Sequence, residues 1–260
     1  MTDLVTAGGP IARLRAGEDG PAVVLVPGYT GSKEDFRFIV EPLAAQGFSV
    51  TAIDQRGQYE SPGPDDPDAY AVESLASELL AVIEAVGRPV HLVGHSFGGL
   101  VARAAVIRDA AAVRSLTLLC SGPAALHSPR TEAVALLRPM LENDGHVAVA
   151  DLLDAMADPA EPPELRAFLR RRFLATNPIG LVAMADALAT EVDRVDELRA
   201  TGARLLVAYG ENDDAWSPAV QADMALRLDA VHAVIPDAAH SPAVENPDAT
   251  IAVLAAFFSG

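Results

Sequence analysis

Short, nearly continuous apolar runs alternate along the chain with segments whose apolar residues recur every three or four positions. Ala22 to Val26 (AVVLV) ends in Pro27-Gly28 and predicts a buried strand followed by a loop. Ser49 to Asp54, Pro89 to Gly94, Val113 to Cys120, Arg204 to Gly210 and Val231 to Ile235 predict five more strands. Strands this apolar suit a parallel sheet covered on both faces. Between them, Leu75, Leu79, Val82, Ile83 and Val86 share one helical face, and Gly87 with Pro89 ends that helix. Ser96 to Arg108, Trp216 to Leu228 and Pro247 to Phe258 are further helical stretches. Strand and helix in alternation predict an α/β fold with a doubly wound, mostly parallel sheet.

The alternation stops over residues 122–201. That stretch holds helical patterns, Thr131 to Met140 and Glu164 to Leu174, broken by Pro159, Pro162, Pro163 and Pro178. It is too long for a plain crossover, so it is expected to be a helical insertion. Residues 1–121 and 202–260 are then the core.

Composition narrows the partners. The chain has 260 residues, with Lys+Arg 19 against Asp+Glu 36 and a net charge of -17. Nucleic-acid backbones and anionic membranes call for clustered cations, so neither is an expected partner. The charge also disfavours a strongly anionic substrate; a small molecule is the expected partner. No apolar stretch reaches the roughly 18 residues of a membrane span. The N-terminal residues lack a basic run ahead of an apolar one, so no signal peptide is expected. Cys120 is the single cysteine and cannot form an intramolecular disulfide. A cytoplasmic setting follows as the expectation. The oligomeric state is left open.

The chemistry concentrates in Gly94-His95-Ser96-Phe97-Gly98-Gly99, between a predicted strand and a predicted helix. This is G-x-S-x-G in the strand–turn–helix setting that lifts a serine hydroxyl above the sheet edge. A serine needs a base. Among His91, His95, His127, His146, His232 and His240, only His240 follows the last strand in a loop at the same sheet edge. His91 and His232 lie within strands, His127 and His146 in the insertion at the expected surface, and His95 should point away from the reacting atom. The base needs an orienting carboxylate. Asp213 or Asp214, in Tyr209-Gly210-Glu211-Asn212-Asp213-Asp214, can supply it; the other can cap the next helix. The N–H groups of Phe97 and Tyr29 are the candidate oxyanion donors. Tyr29, Thr30, Trp216 and Met184 are candidate substrate contacts, although Trp216 could equally pack a helix. Leu152, Met156, Phe168, Leu174, Met184 and Leu188 should roof the pocket or pack the insertion. Arg170-Arg171-Arg172 could meet an acidic substrate or form a solvated helix face. Cys120 reads as a small buried apolar residue.

Several motifs then fall into one pattern. Pro27-Gly28-Tyr29, Asp54-Gln55-Arg56-Gly57, the serine turn, Gly210-Glu211-Asn212-Asp213 and His240-Ser241-Pro242 together resemble the α/β-hydrolase superfamily, in its branch with a helical cap. The resemblance runs over nearly the whole chain. It departs at Pro27-Gly28, where His-Gly is usual, and at Gln58-Tyr59-Glu60-Ser61, where Gly-x-Ser usually follows Arg-Gly. It implies Ser96 as nucleophile, Asp213 as acid, His240 as base and residues 122–201 as the cap. The implied chemistry is hydrolysis of small, largely apolar carboxylic esters through an acyl-enzyme, with no metal or organic cofactor. Related C–C, lactone or thioester cleavage would use the same residues, and so would a ligand-binding protein on this scaffold.

Overall fold

The computed structural model describes residues 3–126, 138–157 and 159–260. Its strands are β1 (Leu4–Thr6), β2 (Gly9–Ile11), β3 (Arg13–Ala16), β4 (Ala22–Val26), β5 (Ser49–Ile53), β6 (Val90–His95), β7 (Val113–Leu119), β8 (Leu205–Gly210) and β9 (Val231–Ile235). Strands β1 and β2 form a separate hairpin. The other seven make one sheet in the order β3-β5-β4-β6-β7-β8-β9, parallel throughout except for β3 against β5. All six strands expected from the sequence are present. Strand β3 gives no apolar run because it is an edge strand of sequence RLRA, whose arginines keep it half exposed.

The helices are α1 (Arg37–Ala45), α2 (Val72–Val86), α3 (Phe97–Arg108), α4 (Gly145–Met156), α5 (Pro163–Ala175), α6 (Pro178–Thr190), α7 (Val195–Ala200), α8 (Pro218–Leu228), α9 (Pro242–Glu245) and α10 (Pro247–Ser259). The period-two geometry of a strand divides β4 between two cores. Val24 and Val26 pack with Leu79 of α2, Leu100 of α3 and Met224 of α8. Val23 and Leu25 pack with Ile39 and Leu43 of α1 and Leu254 and Phe258 of α10. Helices therefore cover both faces, and β6 at the centre is buried at every position.

Between β7 and β8 the described residues contain α4 to α7 and no strand. Part of the expected Thr131–Met140 helix, and His127, lie outside the described residues. The two roots of this stretch meet each other: Ala125 N donates to Glu191 O at 2.7 Å and Leu126 N to Leu188 O at 3.0 Å. Arg103 of α3, fully buried, fastens both. It donates to the Pro123 carbonyl, to Glu191 Oε1 at 2.7 Å and to Val192 O at 3.3 Å. No single described helix is long and apolar enough to cross a membrane.

A buried ion pair fixes the loop after β4 to the end of β5. Lys33, the chain's only lysine, is 2% exposed, and the Asp54 side chain is fully buried. Lys33 Nζ donates to Asp54 Oδ2 at 2.9 Å and Glu60 Oε2 at 2.7 Å, and its backbone N–H to Asp54 Oδ1 at 2.7 Å. Replacing Lys33 by methionine leaves the Asp54 charge buried with one donor set removed. A loss of about 3–5 kcal/mol is expected, the scale of breaking a buried ion pair by removing one partner. Urea denaturation measures it; a loss below about 1 kcal/mol, the scale of a surface pair, would refute the assignment.

Candidate active site

Strand β6 delivers Ser96 onto the turn before α3. Its backbone sits at φ 53 and ψ -121, a region that costs a non-glycine residue about 1–3 kcal/mol. Surrounding bonds hold it there. Ser96 N donates to Leu119 O at 2.9 Å, while Ser96 O accepts from Gly99 N at 2.9 Å and Ser121 Oγ at 2.8 Å. Close approach explains the flanking glycines: a Cβ on Gly98 would collide with the carbonyl of Pro27, and one on Gly94 with the backbone of Gly98. Thr30 and Cys120 also carry positive φ, 59 and 50, so strain gathers around this site.

His240 Nε2 lies 3.0 Å from Ser96 Oγ, and His240 Nδ1 lies 2.9 Å from Asp213 Oδ1. A carboxylate only accepts, so Nδ1 carries the proton and Nε2 is the free acceptor facing the serine hydroxyl. Of the two aspartates that the sequence left open, Asp213 is the one whose Oδ1 lies in hydrogen-bond contact with His240, and Asp214 is exposed. Burial on its own would raise the Asp213 carboxyl. Donation from His240 Nδ1, Ala215 N and Gln221 Nε2 outweighs burial and holds the carboxyl below its ordinary value.

The other histidines separate cleanly. His95 Nε2 donates to the His240 carbonyl at 2.7 Å, which supports the His240 loop from beneath. Burial, followed by the neighbouring His240, lowers its pKa to about 4, so it is neutral. His91 is buried against Phe258 and pairs with Ser115 Oγ at 2.8 Å. His232 meets Tyr209 OH at 2.6 Å on the edge strand. His146, expected at the surface, is instead half-buried beside Phe173 because both belong to the apolar contact of α4 with α5. Ring nitrogens of His95 and His240 and Cys120 Sγ lie within 4.8 Å of one another. That donor set could hold a soft cation, but only by drawing His240 away from Ser96 and Asp213. Burial pushes the Cys120 thiol well up, consistent with its reading as a small apolar residue.

The loop after β4 faces Ser96. A Cβ at Gly28 would stand 2.9 Å from Ser96 Cβ, so only glycine allows the approach. Phe97 is the first residue of α3, where an N–H has no intrahelical acceptor. Among the described residues the Tyr29 N–H has no acceptor either. A cavity of about 460 Å³ opens above Ser96 and His240, walled by Tyr29, Thr30, Leu126, Leu153, Phe173 and Leu188 among others. A second, of about 170 Å³, reaches Ser96 from the side of Gly28, Gly31 and Ser241.

Four expectations about apolar and basic side chains change. Trp216 and Met184 are buried in the main core and wall neither cavity. Trp216 is turned against Gly122, and Met184 is on the buried side of α6. Met156 is 73% exposed at the end of α4, neither roof nor core. The three arginines part ways. Arg170 is neutralised by Asp151 and Asp154 at 2.7 and 2.6 Å, Arg171 points to Tyr59, and Arg172 pairs with Asp35 at 2.6 Å beside both cavities.

A family model described as the alpha/beta hydrolase family matches residues 23–253. The chain belongs to the alpha/beta hydrolase family. Over 122 residues it is 40% identical to the pimeloyl-(acyl-carrier protein) methyl ester esterase of Methylococcus capsulatus, a stretch covering 46% of this chain and 45% of that protein. The chain spans under half the length of the curated relatives it matches. Among solved structures, the enol-lactonase from Burkholderia xenovorans superposes with a TM-score of 0.83 at 23% identity, covering 98% of this chain and 99% of that one. A thermophilic esterase from Thermogutta terrifontis superposes at 0.81 with 25% identity, covering 99% and 97%.

In this alpha/beta hydrolase three buried amides escaped the reading of the sequence. Gln55 Nε2 donates to Pro27 O at 2.9 Å and Gln58 Nε2 to Gly28 O at 2.8 Å, so Gln58, at a departure from the family pattern, braces the loop beside Ser96 together with Gln55. The third, Gln221, binds Asp213. It shares a helical face with Met224, Ala225 and Leu228, all buried. A glutamine on an apolar face at that spacing is the signal that could have revealed it.

Proposed function

We propose that this protein is a serine hydrolase acting on small, largely apolar carboxylic esters. The observation that carries the reading is the continuous contact from Asp213 Oδ1 through His240 to Ser96 Oγ, at 2.9 and 3.0 Å, on a strained turn beneath an open cavity.

In the proposed mechanism Ser96 Oγ attacks the ester carbonyl while His240 Nε2 takes the hydroxyl proton. Asp213 steadies the imidazolium that forms. The oxyanion is received by the N–H groups of Tyr29 and Phe97. As the carbon–oxygen bond breaks, His240 returns the proton to the leaving alkoxide, and an acyl group remains on Ser96. A water molecule then gives its proton to His240 and attacks the acyl carbon, and Ser96 leaves protonated. Residues 122–201 act as a cap, supplying Leu153, Phe173 and Leu188 to the apolar wall that holds the substrate. Substrate contacts come from Tyr29 and Thr30 rather than from the buried Trp216 and Met184.

A fluorophosphonate probe tests the reading directly. One equivalent is expected to attach to the native protein, on the peptide containing Ser96, with matching loss of p-nitrophenyl ester hydrolysis. Failure to label, or labelling elsewhere, would sink the proposal.

A further inference from the structure

We propose that Gln221 is a positioning residue, which aims and tunes His240 through Asp213. The inference rests on the triad reading above.

Gln221 is fully buried on α8. Its amide nitrogen donates to Asp213 Oδ2 at 2.8 Å and to the Trp216 carbonyl at 2.7 Å. Both partners only accept, so the amide can face them one way, nitrogen first. The carbonyl oxygen pays for that orientation: among the described residues Oε1 is buried with no hydrogen-bond partner. An orphaned buried acceptor is costly, and such groups are retained where a site requires them.

The requirement is visible at Asp213. Its Oδ1 accepts from Ala215 N and His240 Nδ1, both at 2.9 Å. Without Gln221 its Oδ2 would lose its amide donor, and the carboxylate could turn about Cβ–Cγ and carry Oδ1 off the imidazole. The bond to Trp216 O ties the same amide to the loop that bears the acid, so α8 and this loop hold the carboxylate as one unit. The groups around the pair are His95 and Cys120 on the sheet side, with Asp35 and Glu245 at the margin; the Cys120 thiol reaches Asp213 as a weak donor, and Gln221 Nε2 is the amide donor at Oδ2.

Removing a donor concentrates negative charge on Asp213, which favours the imidazolium. The acid limb of kcat/KM should therefore move to higher pH.

The test uses the full chain, p-nitrophenyl acetate, and fluorophosphonate titration to count competent sites. Gln221→Leu is expected to lower kcat/KM per titrated site ~10–100-fold, the scale of one charge-assisted hydrogen bond, through kcat and not KM. Its acid limb should rise by roughly one pH unit. Gln221→Glu has nearly the same shape and, while protonated, can donate to Oδ2. It should keep the wild-type acid limb and lose activity on the alkaline side, where the new carboxylate ionises; it also keeps the test usable where the leucine variant fails to fold. Unshifted limbs in both variants with a wild type that labels would overturn this inference alone, as would a loss accounted for by fewer titrated sites. A wild type that does not label overturns the triad reading and this inference with it.

Discussion

Ser96→Ala is expected to lower kcat for an aryl ester about a million-fold, the scale seen when the nucleophile of a serine hydrolase is removed. The loss should fall on the chemical step, since the proposed oxyanion donors and the cavity walls stay in place. Residual catalysis of about 10³–10⁴-fold over water should persist from them. The fold should survive because the bonds holding the turn are all to the backbone of residue 96: its N–H to Leu119 O, its carbonyl to Gly99 N and Ser121 Oγ. Alanine suffers the same strain as serine at φ 53, so its thermal midpoint should match wild type. Ser96→Gly removes the strain and should be equally inactive while gaining about 1–2 kcal/mol, the cost of a Cβ in left-handed backbone. Stopped-time ester assays with thermal unfolding measure both. A Ser96→Ala protein retaining a tenth of wild-type turnover would place the nucleophile elsewhere.

How far the site was legible follows from which physics each residue expresses locally. The β6 run, the paired glycines and Ser96 announce themselves because sterics at a sharp turn act over a few residues. His240 was legible by position, as it follows the last strand and so sits at the sheet edge where Ser96 does. Buried amides were not. Gln55, Gln58 and Gln221 resemble solvated side chains until their partners are known, and each partner comes from a distant part of the chain or from another element. Lys33 was invisible for the same reason: a lone cation after a loop gives no hint of Asp54 beneath it. Trp216 and Met184 went astray because periodicity reports that a face is covered, without saying whether core or cavity covers it. Strand β3 was lost to its arginines, and α1 to Pro42 within it.

The acid is the sharpest remaining discriminator, because two neighbouring aspartates predict opposite results. Asp213→Asn is expected to cost about 10⁴-fold in kcat. The reason is a proton. Asparagine keeps one accepting oxygen where three donors converge, from Ala215, His240 and Gln221. If its NH₂ faces His240, it donates to Nδ1, the ring proton moves to Nε2, and the imidazole can no longer accept from Ser96. If the NH₂ faces Gln221, two donors oppose each other in a buried site, which should cost about 1–3 kcal/mol of stability. The same substitution alters acid stability in a definite direction. The Asp213 carboxyl is held below its ordinary 3.8, so its contribution is complete above that value and fades as pH falls through the lower folded value. Asp213→Asn should erase that portion of the pH dependence. Asp214→Asn, at an exposed position away from His240, should stay within about twofold of wild-type activity, as surface substitutions do. Ester kinetics and urea midpoints at pH 3 to 7 on the two variants decide between the residues. Equal activity in both would remove Asp213 from the mechanism, and with it the reason for three donors to meet on one buried carboxylate.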